Sequence, residues 1–449
     1  MAHPAAPPAG PSLVRALGVR ALAANVVNNI VGSGIFVLPA AVAAILGPAA
    51  AVAYVLCAVM IGLVGLCFAE VGSRVQAAGG PYAYVEAAFG PYVGFLAGLL
   101  FWFGSIVASC AAVATVFAAS LGALLPAVGG PVAQGALLVA LFTVLAAVNV
   151  RGVRAGARLM ELLTAAKLAP LVLLVLVGLF ALRPAHLAWT GMPVLADVGR
   201  AALVLIFAFT GVEGALTSSG EVREPARTVP RAVFLGLAAV AVLYAGLQLV
   251  SQGVLGPALA ATPDAPLAAV AERVLGGPGR TLILVAAAVS TLGFVSGDML
   301  ASPRLLFAFG HDGLLPARLG AVHARFRTPH VAIVIHAAAC CAAALSGTFR
   351  VLAVLSVVAT LLIYLACCLA VLELRRRDVR ADGAPFRIPG GAAVPLLACA
   401  VVLWPLASAT ATEFLAVAGV LVVASALYVL RRWRVSVAGV VTPGVPPVG

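Results

Sequence analysis

The chain has 449 residues, of which 63% are hydrophobic and 9% charged, and its mean hydropathy is +1.16. A soluble protein carries about a quarter charged residues, so this composition excludes a water-facing surface and with it a soluble enzyme or binding module. The formal net charge of +12 could suggest nucleic acid, but its distribution along the chain argues against such a partner. The first dozen residues, MAHPAAPPAGPS, form a Pro/Ala tail without the basic start, apolar stretch and small-residue site of a cleavable signal. Behind the tail, apolar runs of membrane-spanning length predict twelve helical spans. They lie near 20–45, 48–73, 92–124, 132–150, 157–182, 199–219, 231–255, 279–303, 331–348, 351–373, 392–411 and 413–431. The fold class is therefore an all-α polytopic membrane protein.

Numbering the gaps alternately, one set holds 21 arginines, Arg15 to Arg434, and the other holds five: Arg183, Arg200, Arg273, Arg280 and Arg350. By the positive-inside rule both termini are expected in the cytoplasm, and the basicity is a topological signal. Eight cysteines fall in apolar runs and none forms CxxC, so neither zinc binding nor a disulfide framework is indicated. No cofactor is expected. A phosphate-binding loop needs Gly-Lys-Ser/Thr, and the single lysine lies in AAKLAP, so ATP-driven transport by this chain alone is excluded.

Span 1 contains NNIVGSGIFVLPA (28–40), with Gly32-Ser33-Gly34 near the expected bilayer midplane. Small residues in a span often serve helix packing. Span 6 repeats the feature: ALVLIFAFTGVEGALTSSGEV (202–222) sets Gly211 and Gly214 around an intramembrane Glu213. Gly211 follows Gly32 by 179 residues, each about a dozen residues after an arginine. Paired interrupted spans in corresponding halves point to a secondary-transporter site. They predict inverted repeats over 20–182 (spans 1–5) and 199–373 (spans 6–10), with 392–431 an appendage and 1–19 and 432–449 cytoplasmic tails.

A break in span 1 would free the N–H groups of Ser33, Gly34 and Ile35 at a positive helix end, a site for a carboxylate. A break in span 6 would free carbonyls near Phe207, Ala208 and Thr210, suited to an ammonium, and Gly211 permits close backbone approach. A carboxylate pocket facing an ammonium pocket describes an α-amino acid.

VGSGIF in span 1, GGPYAYVEAAFGPYVGF (79–95), FAFTGVEGALTSSGEVREPARTVPRA (207–232) and ASPRLLFAFGHDGLLP (301–316) together resemble the amino acid–polyamine–organocation superfamily. The resemblance runs from the first span to the ninth. It implies a LeuT-like fold of five-plus-five inverted repeats with alternating access around spans 1 and 6. It assigns the substrate carboxylate to Ser33 and Gly34, and the amino group to carbonyls of Ile30, Phe207, Ala208 and Thr210. It also gives Phe207 the place of an aromatic lid.

Lys167 lies near the centre of span 5, where a charge is costly and normally faces a cavity. Desolvation favours proton exchange by such a lysine. In the resembled family, ELLTAAKLAPL looks like the form in which the amine takes the position of a sodium ion. The implied coupling ion is a proton, or none in an obligate exchanger. Glu213 is a second proton-coupling candidate, and its GVE triplet is similar to that of arginine/agmatine exchangers. Glu70 and Asp298 lie nearer span ends, where gate pairing or solvation is expected. Tyr82 and Tyr84 are expected on a short amphipathic helix, as interfacial anchors or, by the resemblance, in an inner gate. Pro225 and Pro230 fit breaks around a helix start, and Arg223, Arg227 and Arg231 suit gate salt bridges or topology alone. Ser105, Ser109, Thr291 and Ser356 are candidate pocket residues.

A membrane enzyme would need a nucleophile–base set or metal cluster that the spans do not offer by motif. A sensor would carry a soluble output domain, and a channel a ring of groups that one sequence does not reveal. The expected function is proton-coupled uptake of neutral amino acids, with exchange of cationic or broader substrates as the alternative. The partners are then the amino acid, the proton and the bilayer, with no nucleic acid and no accessory subunit expected.

Overall fold

In hydrocarbon there is no water to satisfy backbone N–H and C=O groups, so a chain must bond them within helices or a closed barrel. The computed structural model describes residues 18–75, 80–152, 157–189, 191–213, 225–380 and 385–440, and among these it contains helices and no strand. Seven helical stretches are long and apolar enough to cross a membrane, and Lys167–Ala181, His330–Ser346 and Ala393–Leu406 are shorter apolar helices. Helices lie in all twelve predicted stretches, and the span numbers are kept below.

Three spans depart from plain α-helix in ways that matter for the site. Span 1 is two helices, Val19–Ile30 and Gly34–Leu46. Span 3 contains a π-helical segment, Leu100–Val107, between Pro91–Leu99 and Ala108–Leu124; such wide turns tend to mark functional positions. Span 6 begins as Leu195–Phe209 and turns at Thr210 and Gly211. Gly214, Glu221 and Arg223, read above as part of this break and the following loop, lie outside the described residues. Span 7 starts at Pro225 and continues through Pro230, which lies inside the helix and does not break it. Span 8 is preceded by a helical turn that kinks at Gly276 (φ 70°) two residues before Pro278.

The packing follows a pattern. Span 1 packs on span 6, span 2 on span 7, span 3 on span 8 and span 4 on span 9. Four further sets of contacts match: 1 on 7 with 6 on 2, 5 on 8 with 10 on 3, 5 on 7 with 10 on 2, and 3 on 9 with 8 on 4, whereas span 10 also packs on span 6 and span 8 on span 1. Exchanging spans 1–5 with 6–10 maps the matched sets onto one another. Spans 4 and 12 lie at the periphery and expose Val144, Leu415, Val422 and Val429, apolar side chains that suit lipid.

Candidate functional site

An uninterrupted span 1 would pair the carbonyls of Asn28 and Val31 with amides one turn on. The chain instead stops its helix at Ile30 and restarts it at Gly34. A cation fills the vacancy: Lys167 Nζ donates to the Asn28 carbonyl at 2.7 Å and to the Val31 carbonyl at 2.8 Å. Lys167 is 9% exposed, so this charge is buried against the negative end of a helix. The Ile30 carbonyl, expected to meet a substrate amine, accepts a hydrogen bond from the Tyr244 hydroxyl at 3.2 Å.

On the restarting side the donors are unfilled. Phe36 N–H bonds back to the Ser33 carbonyl at 3.0 Å, and among the described residues no bond joins the Gly34 or Ile35 amide. Ser33 Oγ is also buried without a partner. An unsatisfied buried hydroxyl costs about 1–3 kcal/mol. Three donors at the positive end of Gly34–Leu46 make a receptor for an anionic group.

The break in span 6 is built differently. Gly211 adopts φ 116°, a region that L side chains avoid. Thr210, extended at ψ 155°, turns the Gly211 N–H away from the Phe207 carbonyl, and it donates to Glu213 Oε2 at 3.1 Å, while Thr210 Oγ1 donates to the Phe207 carbonyl at 2.9 Å. Glu213 Oε2 also accepts from the Tyr364 hydroxyl of span 10 at 2.7 Å. The two breaks are in backbone contact. A Cβ on Gly211 would stand 2.5 Å from the Asn29 carbonyl oxygen, and one on Gly34 would stand 2.8 Å from the Ala208 Cα.

A cavity of about 640 Å³ lies along the second half of span 1, lined among others by Val37, Ala41, Val116, Val204, Phe349 and Arg350. Phe207 is buried, its ring edge-on at 5.5 Å to that of Phe349, which lines the cavity. On the arginine-rich side the spans are latched. Glu70, fully buried, pairs with Arg74 at 2.9 Å and Arg375 at 2.5 Å and accepts the Ile388 N–H at 2.9 Å. Glu70 is thus ion-paired and buried, not solvated.

Tyr82 and Tyr84 sit on the helix Pro81–Phe89, but that helix is buried on most of its surface and is not an amphipathic interfacial anchor. Tyr82 packs edge-on to Phe309 at 5.3 Å. Tyr84 and Tyr364 flank Phe68 at 6.3 and 5.4 Å, so the Glu213 carboxylate, span 10 and the Pro81–Phe89 helix form one aromatic cluster.

Of the pocket candidates, Ser105 and Ser356 join spans 3 and 10. Ser105 Oγ lies 2.6 Å from Thr360 Oγ1, and Ser356 Oγ donates to the Ser105 carbonyl at 3.0 Å. Thr291 bonds carbonyls of its own helix and reaches no other span through its hydroxyl. Tyr244, Tyr364 and Phe349 were invisible to motif reading, because ordinary aromatics in apolar spans carry no local signal. Asp298 pairs with His336 of span 9, not with a gate partner on spans 1 or 6.

Comparison with known proteins adds the following. Residues 17–427 match the family described as amino acid permease. An L-lysine transport protein of Corynebacterium glutamicum is 32% identical over 330 residues, which cover 69% of this chain and 64% of that protein. The serine/threonine exchanger SteT of Bacillus subtilis is 28% identical over 397 residues, covering 86% of this chain and 89% of the exchanger. The branched-chain amino acid permease BcaP of Lactococcus lactis is 30% identical over 387 residues, with 78% of this chain and 80% of the relative covered. The match thus spans slightly less than two thirds of the lysine transport protein and most of the other two.

Proposed function

The chain belongs to the amino acid permease family, and from that premise we propose that it carries neutral amino acids across the cell membrane by alternating access, with proton-coupled uptake. The observation that supports this most is the buried, unpartnered Ser33 Oγ at the positive end of Gly34–Leu46, directly beside the span-6 break. A substrate carboxylate satisfies that hydroxyl. Its ammonium then meets the helix-end carbonyls of Phe207, Ala208 and Thr210, and the Ile30 carbonyl shares its second lone pair with Tyr244. Phe207 covers the bound substrate from the cavity side, and Tyr82 and Tyr84 belong to the gate on the arginine-rich side.

The matched packing pairs support a LeuT-like five-plus-five repeat with both termini cytoplasmic. Spans 1 and 6 rock against the frame of spans 3, 4, 8 and 9. Lys167 couples the proton: its ammonium holds the Asn28 and Val31 carbonyls, and loss of that proton frees the first half of span 1 to move. Among the described residues no acidic side chain beyond Glu213 stands beside the break, which favours neutral substrates over cationic ones.

A second reading is amino acid exchange. Glu213 bonds the span-6 break directly and so places a carboxylate next to the substrate, and one relative is named as an exchanger. Purified protein in liposomes separates the two. Labelled alanine, leucine and arginine are offered under an inward proton gradient to empty and to amino-acid-preloaded vesicles. Accumulation of alanine or leucine in empty vesicles, abolished by Lys167→Ala, is the expected result. Uptake restricted to preloaded vesicles and indifferent to pH makes the protein an exchanger.

A further inference from the structure

Away from spans 1 and 6, three spans of the frame bring together four side chains that no motif connects. They are Cys110 of span 3, Asp298 of span 8, and His336 and Cys340 one helical turn apart on span 9. Their donor atoms all lie within 4.8 Å of one another. We propose that this cluster is a binding site for one borderline-soft divalent cation of the zinc class, held by two thiolates, an imidazole nitrogen and a carboxylate.

The donor set is the first argument. Two sulfurs, one nitrogen and one oxygen form a tetrahedral complement that zinc accepts, whereas magnesium and calcium take oxygen ligands. Metal–ligand bonds of about 2.0–2.3 Å require donors roughly 3.3–3.8 Å apart, so on loading the widest separations close by about an ångström and the His336–Asp298 contact opens by about half of that. His336 Nε2 already lies 2.8 Å from Asp298 Oδ2 and 3.6 Å from Cys340 Sγ. The ion's two charges oppose those of two thiolates and a carboxylate, leaving one net negative charge. Ser302 Oγ, which donates to Asp298 Oδ1 at 2.5 Å, orients the carboxylate from outside the donor set. Cys110, Cys340 and His336 are fully buried, while the Asp298 side chain is 10% exposed and marks the way in.

The surroundings say what loading must change. Trp102 Nε1–H donates to His336 Nδ1 at 3.2 Å. That bond assigns the ring proton to Nε2, where it faces Asp298. Coordination through Nε2 requires this proton to move to Nδ1, and the two thiol protons leave to solvent. An Nδ1–H and the indole N–H cannot both donate across the same gap, so Trp102 swings away. Trp102 belongs to the π-helical segment that also carries Ser105, bonded to span 10. Occupancy of the metal site therefore reaches the span-3 wall of the transport pathway.

The test uses full-length protein in detergent, stripped with chelator, kept reduced and titrated with Co²⁺. The expected result is one Co²⁺ per chain with tetrahedral d–d bands and a thiolate-to-cobalt charge-transfer band, all displaced by equimolar Zn²⁺. Cys110→Ser/Cys340→Ser loses the charge-transfer band and binds at least about tenfold more weakly, and Cys341→Ser retains it. Tryptophan emission shifts on loading in wild type and not in Trp102→Phe. Absence of the charge-transfer band from folded wild type overturns the site. So does its persistence in the double variant, where thiols elsewhere would then be the ligands. Because the first readout needs no variant, misfolding of the double variant leaves the proposal exposed to refutation.

Discussion

The two broken spans solve one problem in opposite ways. Span 1 leaves carbonyls behind and has them filled from outside by the Lys167 ammonium of span 5. Span 6 leaves an amide behind and fills it with its own carboxylate, Glu213, which is steadied by Tyr364 of span 10. Spans 5 and 10 close the two sets of five, so each break is held by the last helix of its own set. The difference lies in what remains. The span-6 break is bonded internally, with Thr210 serving the Phe207 carbonyl, whereas the span-1 break keeps Ser33 Oγ buried and alone. A buried hydroxyl without a partner at the positive end of a helix is poised to be satisfied by an anion.

The largest effect comes from closing the space between the breaks. Gly211→Ala forces a side chain into φ 116° and against the Asn29 carbonyl oxygen at 2.5 Å, both backbone constraints that no rotamer relieves. Strain of this kind costs at least about 1–2 kcal/mol before the clash is counted, and uptake in liposomes is expected to fall to background. Gly34→Ala, facing the Ala208 Cα at 2.8 Å, should do the same. Gly32→Ala is the control. Its Cβ would meet only the Ile30 carbonyl oxygen at 3.9 Å, so transport should be retained. Equal damage from all three would show that small residues, and not this contact, matter.

Next in size is Lys167→Met. It removes two charge-assisted hydrogen bonds and leaves two carbonyls bare, a loss of roughly 1.5–3 kcal/mol for each charged bond. A lowered melting temperature in detergent and loss of gradient-driven uptake are expected together. Retained accumulation would remove Lys167 from the coupling step. Tyr364→Phe is milder: Glu213 Oε2 keeps the Gly211 amide and loses one hydroxyl. A change of about 1 kcal/mol, or some fivefold in transport, should follow. An unchanged rate would mean that span 10 does not steady the span-6 break during the cycle.

What the sequence disclosed tracks how local each signal is. Gly32-Ser33-Gly34 and Gly211 announced the breaks because helix-breaking residues in hydrocarbon have few other uses. Lys167 stood out because a lone charge at mid-span is costly. Its actual partners, two backbone carbonyls some 140 residues earlier, have no side-chain signature to read. Tyr244, Tyr364 and Phe349 matter only because tertiary packing aims them, and a Tyr in an apolar run looks the same wherever it points. The proposed metal cluster leaves no spacing signal for a related reason. Only His336 and Cys340 share a helix, and Cys110 and Asp298 join them through the packing of spans 3 and 8 on span 9.

The smallest effect is the most specific to the cavity side. Phe207 and Phe349, the latter lining the cavity, meet edge-on at 5.5 Å, and such pairs contribute about 0.5–1.5 kcal/mol beyond the area they bury. If the pair is the cover over the substrate, Phe207→Ala and Phe349→Ala should each raise KM a few-fold, and Phe207→Ala, at the buried position, should lower the melting temperature more. The double variant should then cost less than the two single effects added, since the second truncation removes a contact already lost. Phe207 belongs to span 6 and Phe349 to the start of span 10, the helix that also steadies Glu213 through Tyr364. One helix therefore touches both the cover and the break beneath it. Combining Phe349→Ala with Tyr364→Phe tests that link, because independent sites add their free energies and a shared moving element does not. Strict additivity would make the cover and the break separate devices that happen to lie on one span.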